Sequence, residues 1–497
     1  MSLEEAKEAN KDANESNANS GSKQLRIDEL AEKYGVNQKK LMLKIDFCVI
    51  PPFCLLYFLS FLDRINISNA KLYGLSTSLN LEGNQFNTAL TVFFVPYIFF
   101  EILSNYCIKL VKPHIWLSVC IFCFGVVTIG MGFTTNFGGL VACRFLLGLF
   151  ESATFPAIFY ILANFYTRNE SQRRFSAFFS VVCLAGACGG ALAYRIGVDL
   201  DGVHGISSWQ YIFIIEGTFT AGLAFLLFFT ITDFPEQASF LSQNERDFIK
   251  EKLAIASGTD SGFEIHNTLK DVINTLKSPI VWIPTFGYFC LIIPSYGYAY
   301  FAPTIISQMG YTGMEANRHS IYPWLVAFGY SNFFGYISDR TSKRMPFAVF
   351  SSLLAIVGLA ITLGCKSNPQ ARYAGCFLSV TGLYTAMPLL VCWASLNFGG
   401  HARKGVGSGA MIGFGNIGGI ISTWIFLSKD APTYKPGLAT SIAFTALSVF
   451  TMIGFQYYCR YQNNQKKSAA YLEKFDALSD EDKVKAGDLS PHFVYGY

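Results

Sequence analysis

Six ionisable side chains, Asp63, Arg64, Glu101, Arg144, Glu151 and Glu216, fall inside long apolar runs of the chain. A charge in such surroundings is costly unless it is paired or acts on something, so each is a candidate functional group. Arg64 has the planar fork of donors that grips a carboxylate through two parallel N–H bonds, and equally it can bridge its neighbour Asp63. Arg144 and Glu151 stand seven residues apart, two helical turns, and so share a face. They read either as an ion pair holding helices together or as a proton site, with Asp63 a third candidate for proton coupling. Tyr296, Tyr298, Tyr300 and Trp393 can stack on a planar ring, with Asn397 and Asn416 as neutral hydrogen-bonding groups; core packing of these rings is the competing reading.

Other chemistries find little support. All six histidines (114, 204, 266, 319, 401, 492) lie in expected loops or tails, which disfavours a buried histidine base and a metal site. Most of the thirteen cysteines sit in apolar runs as small hydrophobes, and Cys120-x-x-Cys123 lacks partner ligands. Gly413-Phe414-Gly415-Asn416-Ile417-Gly418 has the spacing of a dinucleotide loop, but no strand precedes it. Gly405, Gly409 and Gly413 read instead as close helix packing, as do Gly186, Gly189 and Gly190. An enzyme is the least expected class, and no cofactor, metal or nucleic-acid partner is expected.

The elements that must carry these groups follow from composition. With 497 residues, 52% hydrophobic, 16% aromatic and only 14% charged, the chain has too few charges for a soluble domain, where about 25% is usual. Apolar segments recur at 47–70, 88–108, 115–135, 138–166, 175–194, 209–232, 280–306, 320–338, 345–365, 373–396, 405–427 and 437–459, each near the roughly 20 residues that span a bilayer. The expected fold is an all-α integral membrane protein of twelve transmembrane helices in two six-helix bundles. Its expected parts are an N-terminal tail (1–45), a first bundle (46–232), a polar central loop (233–279) with interfacial helical character at 242–256, a second bundle (280–460) and a C-terminal tail (461–497). With both termini inside, 29 of the 38 Lys and Arg fall on the inner side and 7 on the outer, which orients the chain with cytoplasmic tails. The second bundle's segments hold no charge, so the charge chemistry is confined to the first.

Residues 335–344 (Gly-Tyr-Ile-Ser-Asp-Arg-Thr-Ser-Lys-Arg) resemble the loop signature of the major facilitator superfamily, with Ser342 where Gly is usual. Gly335, Asp339, Arg340 and Arg344 are thereby implied as a gating latch. Residues 59–70, which include Asp63-Arg64-Ile65-Asn66, together with Arg144 to Glu151 and Phe155-Pro156-Ala157, are similar to the first and fourth helices of the anion:cation symporter family. Trp209 to Gly217, Asp233-Phe234-Pro235 and Asp430 to Tyr434 fit its fungal allantoate permease branch. The resemblance covers about residues 45–460. It implies that Arg64 binds a substrate carboxylate and that Arg144 and Glu151 serve proton coupling. The second cation that many members carry in the seventh helix is missing here, which favours a monocarboxylate such as nicotinate over a dicarboxylate. The resulting expectation is a monomeric, proton-coupled importer of a small organic anion in the plasma membrane. A permease for allantoate or another carboxylate or vitamin, an exporter of amphipathic compounds on the same fold and a non-transporting nutrient sensor stay open as alternatives.

Overall fold

The computed structural model describes residues 25–257, 269–311, 313–341, 343–365, 368–399, 401–478, 487–491 and 493–496. Residues 1–24, His266, His492, Ser342 and Lys366 lie outside them, as do the side chains of Lys109, Arg168, Arg173, His401, Arg403 and Lys404, part of the basic inner surface expected above.

Twelve long helices follow in chain order: α1 (Gln38–Leu72), α2 (Gln85–Leu110), α3 (Pro113–Met131), α4 in two pieces (Phe137–Glu151 and Thr154–Phe165), α5 (Arg168–Asp199), α6 (Ser208–Thr230), α7 (Pro279–Ser307), α8 (Gly313–Thr341), α9 (Met345–Gly364), α10 (Pro369–Asn397), α11 (His401–Trp424) and α12 (Lys435–Lys466). Among the described residues nine of these are long and apolar enough to cross a membrane, and no strand occurs. Phe122, Phe225, Phe229, Phe333, Phe350 and Phe450 face outward and are more than half exposed, an apolar girdle that suits lipid and not water.

Within the first six helices α3 packs on α6, α2 on α4 and α1 on α5; within the last six α9 packs on α10, and α7 on α11 and α12. The α3–α6 and α9–α10 pairs owe their closeness to glycine. A Cβ on Gly125 or Gly217 would stand 2.7 or 2.6 Å from the facing backbone nitrogen, and one on Gly358 would stand 2.4 Å from Ser379 N. Lipid gives helices no hydrophobic reason to associate, so such backbone approach supplies the packing energy. The two sets of six meet through α1–α7, α2–α11, α5–α8 and α5–α10.

Several helices run past the apolar segments. α1 starts at Gln38, where Asn37 caps Lys40 N at 3.1 Å, and α12 continues to Lys466. Residues 25–34 form a further helix with Ile27 and Leu30 buried, so this part of the expected tail is packed. The sequence Gln243–Ser257, expected near 242–256, is a helix, and a shorter one spans Leu269–Leu276. Helix α4 breaks at Ser152 and Ala153, a feature the apolar pattern did not indicate. Pro156 accounts for it: its ring has no N–H for the Ser152 carbonyl and crowds the preceding turn. Glu151 is thereby left at the end of a helix piece.

Candidate functional site

Arg64 is the hub. It sits on α1, 3% exposed, with its guanidinium between the Phe93 and Tyr97 rings of α2, each 5.1 Å away. Arg64 Nε donates to Glu151 Oε1 at 3.0 Å, and Nη2 makes a second, short contact to the same oxygen. Ser60, one turn earlier on α1, also donates to that oxygen. Arg64 Nη1 reaches across to the other half of the molecule and donates to the Tyr296 hydroxyl of α7. Tyr296 stacks on Tyr300 at 5.9 Å and meets Phe94 edge-on at 5.2 Å. The result is a desolvated guanidinium with a carboxylate from its own half and a phenol from the opposite half.

Glycine again sets the spacing. A Cβ on Gly148 would lie 2.1 Å from Phe93 O, so only glycine lets α4 come this close to α2 and bring Glu151, three residues on, to Arg64.

The partners differ from the pairings open in the sequence. Arg64 bridges Glu151 and not Asp63, whose two carboxylate oxygens are buried without a hydrogen-bond partner among the described residues. Arg144 is fully buried, and it donates to the Arg64 carbonyl at 3.4 Å in place of forming the expected pair with Glu151. Its Nε and Nη2 have no partner among the described residues. Glu216 of α6 accepts from Asn66 of α1, one turn from Asp63. Among the described residues the first six helices therefore hold four buried carboxyl groups (Asp63, Glu101, Glu151, Glu216) against two buried guanidiniums.

Of the second-half candidates, Tyr296 and Tyr300 join this cluster, whereas Tyr298, half a turn away, faces Trp324 of α8 at 5.6 Å. Asn416 of α11 is buried opposite Glu101. Trp393 and Asn397 are not brought there. Trp393 Nε1 donates to Gly496 O at 2.9 Å, its ring packs on Phe455 of α12 at 4.7 Å, and Asn397 accepts from Gly496 N at 2.8 Å. Both hold the C-terminal segment against the ends of α10 and α12. The small residues of α11 also pack differently: among the described residues a Cβ on Gly405 or Gly409 would meet nothing within 4 Å, and the close contacts are Gly415 on the Tyr288 ring and Gly419 on Phe94. In contrast Gly186 and Gly190 of α5 do lie against Trp324 and Ser320 of α8.

The expected gating loop is mostly helix. Gly335, Asp339 and Arg340 occupy the last turns of α8, with Gly335 buried and Arg340 exposed; Arg344, buried just beyond, donates to Asp339 at 3.3 Å. The helix continues because no proline stands between Gly335 and Thr341.

At the opposite end from the termini the two halves touch directly. Asn87 of α2 donates to the carbonyls of Thr423 (2.5 Å) and Phe426 (3.3 Å), Thr91 meets the Thr423 hydroxyl at 2.7 Å, and Gly313 lies on Leu72.

The signature of the Major Facilitator Superfamily matches residues 53–423. Among curated proteins, the high-affinity nicotinic acid transporter of Saccharomyces cerevisiae is 30% identical over 93% of this chain and 85% of its own length. An uncharacterized transporter of Schizosaccharomyces pombe is 31% identical over 89% and 88%. Among solved structures, the proton:xylose symporter XylE bound to 6-bromo-6-deoxy-D-glucose superposes with a TM-score of 0.66 at 14% identity, covering 82% of this chain and 95% of its own. At that identity the likeness speaks for the fold alone, while the signature spans most of the folded chain: this membrane transporter for a small molecule belongs to the major facilitator superfamily.

Proposed function

We propose that the protein is a proton-coupled importer of a small organic monocarboxylate, with nicotinate the first candidate, in the fungal allantoate permease branch of the anion:cation symporter family. The observation that carries this reading is the Arg64–Glu151 contact. A buried guanidinium already occupied by a carboxylate is a carboxylate site with a built-in competitor. When Glu151 takes a proton, its hold on Arg64 weakens and the donors at Nε and Nη2 become available to a substrate carboxylate. Substrate and proton then enter together, since an unprotonated Glu151 and a substrate anion would compete for one guanidinium. The Tyr296 hydroxyl lets the second half close on the same group.

Charge balance supports the coupling. Four buried carboxyls against two guanidiniums leave an excess of acid in a medium that penalises net charge. An incoming anion adds to that excess, and protons on the carboxyl groups compensate it. The nicotinic acid transporter relative supports nicotinate as the substrate. In this reading the chain is a monomer in the plasma membrane with cytoplasmic termini, and the two halves rock about the Arg64 level. The Asn87–Thr423 end is then the extracellular gate, closed in this structure.

Uptake of labelled nicotinate by cells carrying the chain, with and without a protonophore, tests the proposal. Uptake that collapses with the proton gradient and is lost in Arg64→Ala, at equal surface expression, is the expected result. Uptake indifferent to the gradient would remove the coupling, and uptake retained by Arg64→Ala would remove the site.

A further inference from the structure

Glu101 has no part in the Arg64–Glu151 exchange, yet it is placed beside it. Along α2, Phe93 and Tyr97 flank the Arg64 guanidinium, and Glu101 continues the same face one turn further, about 6 Å along the axis. It is 3% exposed, neither carboxylate oxygen makes a close hydrogen bond among the described residues, and the polar group that interacts with it is the neutral Asn416 amide of α11. Burying a carboxyl group with so weak a partner is expensive, and a group kept so is poised for something that arrives.

What faces Glu101 is a glycine stripe and a neutral amide. Across the boundary between the halves stands α11, where a Cβ on Gly413 would meet Glu101 Oε2 at 3.8 Å, so the carboxyl lies against this glycine. Gly409 and Gly405, one and two turns towards the end that carries the termini, would meet nothing within 4 Å among the described residues. Asn416 stands one turn on the other side. Tyr288 of α7 lies against Gly415 and within electrostatic range of Glu101, and Arg64 is the cation within that range. A buried acid with only a neutral amide beside it thus meets the glycine stripe of the opposite half, one helical turn beyond the ring that flanks the guanidinium.

We propose that Glu101 is the second pole of the substrate site and recognises a basic nitrogen at the end of the substrate remote from its carboxylate. This rests on the carboxylate reading of Arg64 given above. The carboxylate sits on Arg64, the ring lies between Tyr97 and α11, and the nitrogen forms a hydrogen bond with the Glu101 carboxyl. One proton lies in that hydrogen bond, on the nitrogen or on the carboxyl oxygen, with Asn416 as a neighbouring polar group. The substrate class is therefore a compact aromatic monocarboxylate bearing a basic ring nitrogen, and the nitrogen-free isostere is rejected because it leaves a buried carboxyl unpaired.

The experiment is competition against labelled nicotinate uptake, and direct binding to the purified chain, with pyridine-3-carboxylate and benzoate as a matched pair. Wild type should prefer the pyridine by at least about tenfold. Glu101→Leu should reduce that ratio to near one, whereas Glu101→Gln, which can still donate to a nitrogen lone pair, should keep most of it. The ratio is internal to each variant, so lower expression does not affect it. A wild type that binds both compounds equally, or a Glu101→Leu variant with the wild-type preference, overturns the assignment and leaves the Arg64 reading standing. A wild type that binds neither overturns the carboxylate reading and the Glu101 assignment with it.

Discussion

Arg64 Nε and Glu151 Oε1 are 3.0 Å apart across α1 and α4, and the same guanidinium also touches Tyr296 on α7. In the proposed cycle this pair both shuts the anion site and ties it to the opposite half, and the two roles should be separable by mutation. Glu151→Gln mimics the protonated acid and leaves Arg64 free. It should bind and exchange nicotinate across the membrane while losing accumulation driven by a proton gradient. Counterflow and gradient-driven uptake in proteoliposomes read the two activities separately; gradient-driven accumulation by Glu151→Gln at the wild-type level would be incompatible with the exchange.

Gly148 offers a packing test of the same contact. A methyl placed 2.1 Å from Phe93 O cannot be accommodated without parting α2 from α4, since the obstacle is backbone. Gly148→Ala should cost roughly 1–3 kcal/mol of stability, read as a lower unfolding temperature in detergent, and should weaken substrate affinity. Gly454→Ala on α12, where nothing lies within 4 Å, is the control and should leave both unchanged.

The sequence made the fold legible because lipid imposes a simple rule: each span must be apolar, helical and about 20 residues long. It also pointed to Arg64 and Glu151, since charges are so rare in these runs. Their pairing was not legible. Spacing along α4 joins Arg144 to Glu151 on one face, but the choice of partner depends on how far α2 and α4 approach at Gly148 and on the break that Pro156 makes. Trp393 and Asn397 misled for a related reason. An aromatic and an amide within an apolar helix look the same whether they face a substrate or a tail, and only the position of Gly496 distinguishes the two.

The central helix Gln243–Ser257 is fastened to the first half by Lys252 to Glu170 at 2.6 Å, Lys44 to Glu245 at 2.8 Å and the Tyr34 hydroxyl to Glu251 at 2.6 Å, over a buried Phe248 and Ile249. All three carboxyls are held below the ordinary glutamate value. For Glu170 and Glu245 burial works the other way but is outweighed, by Lys252 and by Lys44 respectively, while the Tyr34 hydroxyl dominates for Glu251. A depressed value means that the attachment is complete above the ordinary glutamate range and is lost as pH falls through the depressed values. Protection factors in 243–257, which remove the intrinsic pH dependence of exchange, should therefore be flat from about pH 6 to 8 and fall only below about pH 4.5. Lys252→Ala, which removes the most buried of the cations, should raise exchange already at neutral pH, whereas Lys33→Ala, at an exposed pair, should not.

The C-terminal residues give the test of where Trp393 and Asn397 act. Asn397 accepts from Gly496 N and donates to Gly496 O, Asn463 exchanges the same two bonds with Tyr495, and Lys466 donates to the Asp488 and Phe493 carbonyls. These bonds satisfy polar groups at the ends of α10 and α12 that would otherwise be buried alone, each worth about 1–3 kcal/mol when its partner is removed. Asn397→Ala and Asn463→Ala should therefore lower the unfolding temperature alike, and deletion of residues 487–497 should lower it at least as much. If the tail is what these groups serve, neither substitution changes the ranking of carboxylates in a competition panel, because Arg64 and Tyr296 are untouched. A selectivity change confined to Asn397→Ala, with Asn463→Ala silent, would instead return Asn397 to the substrate.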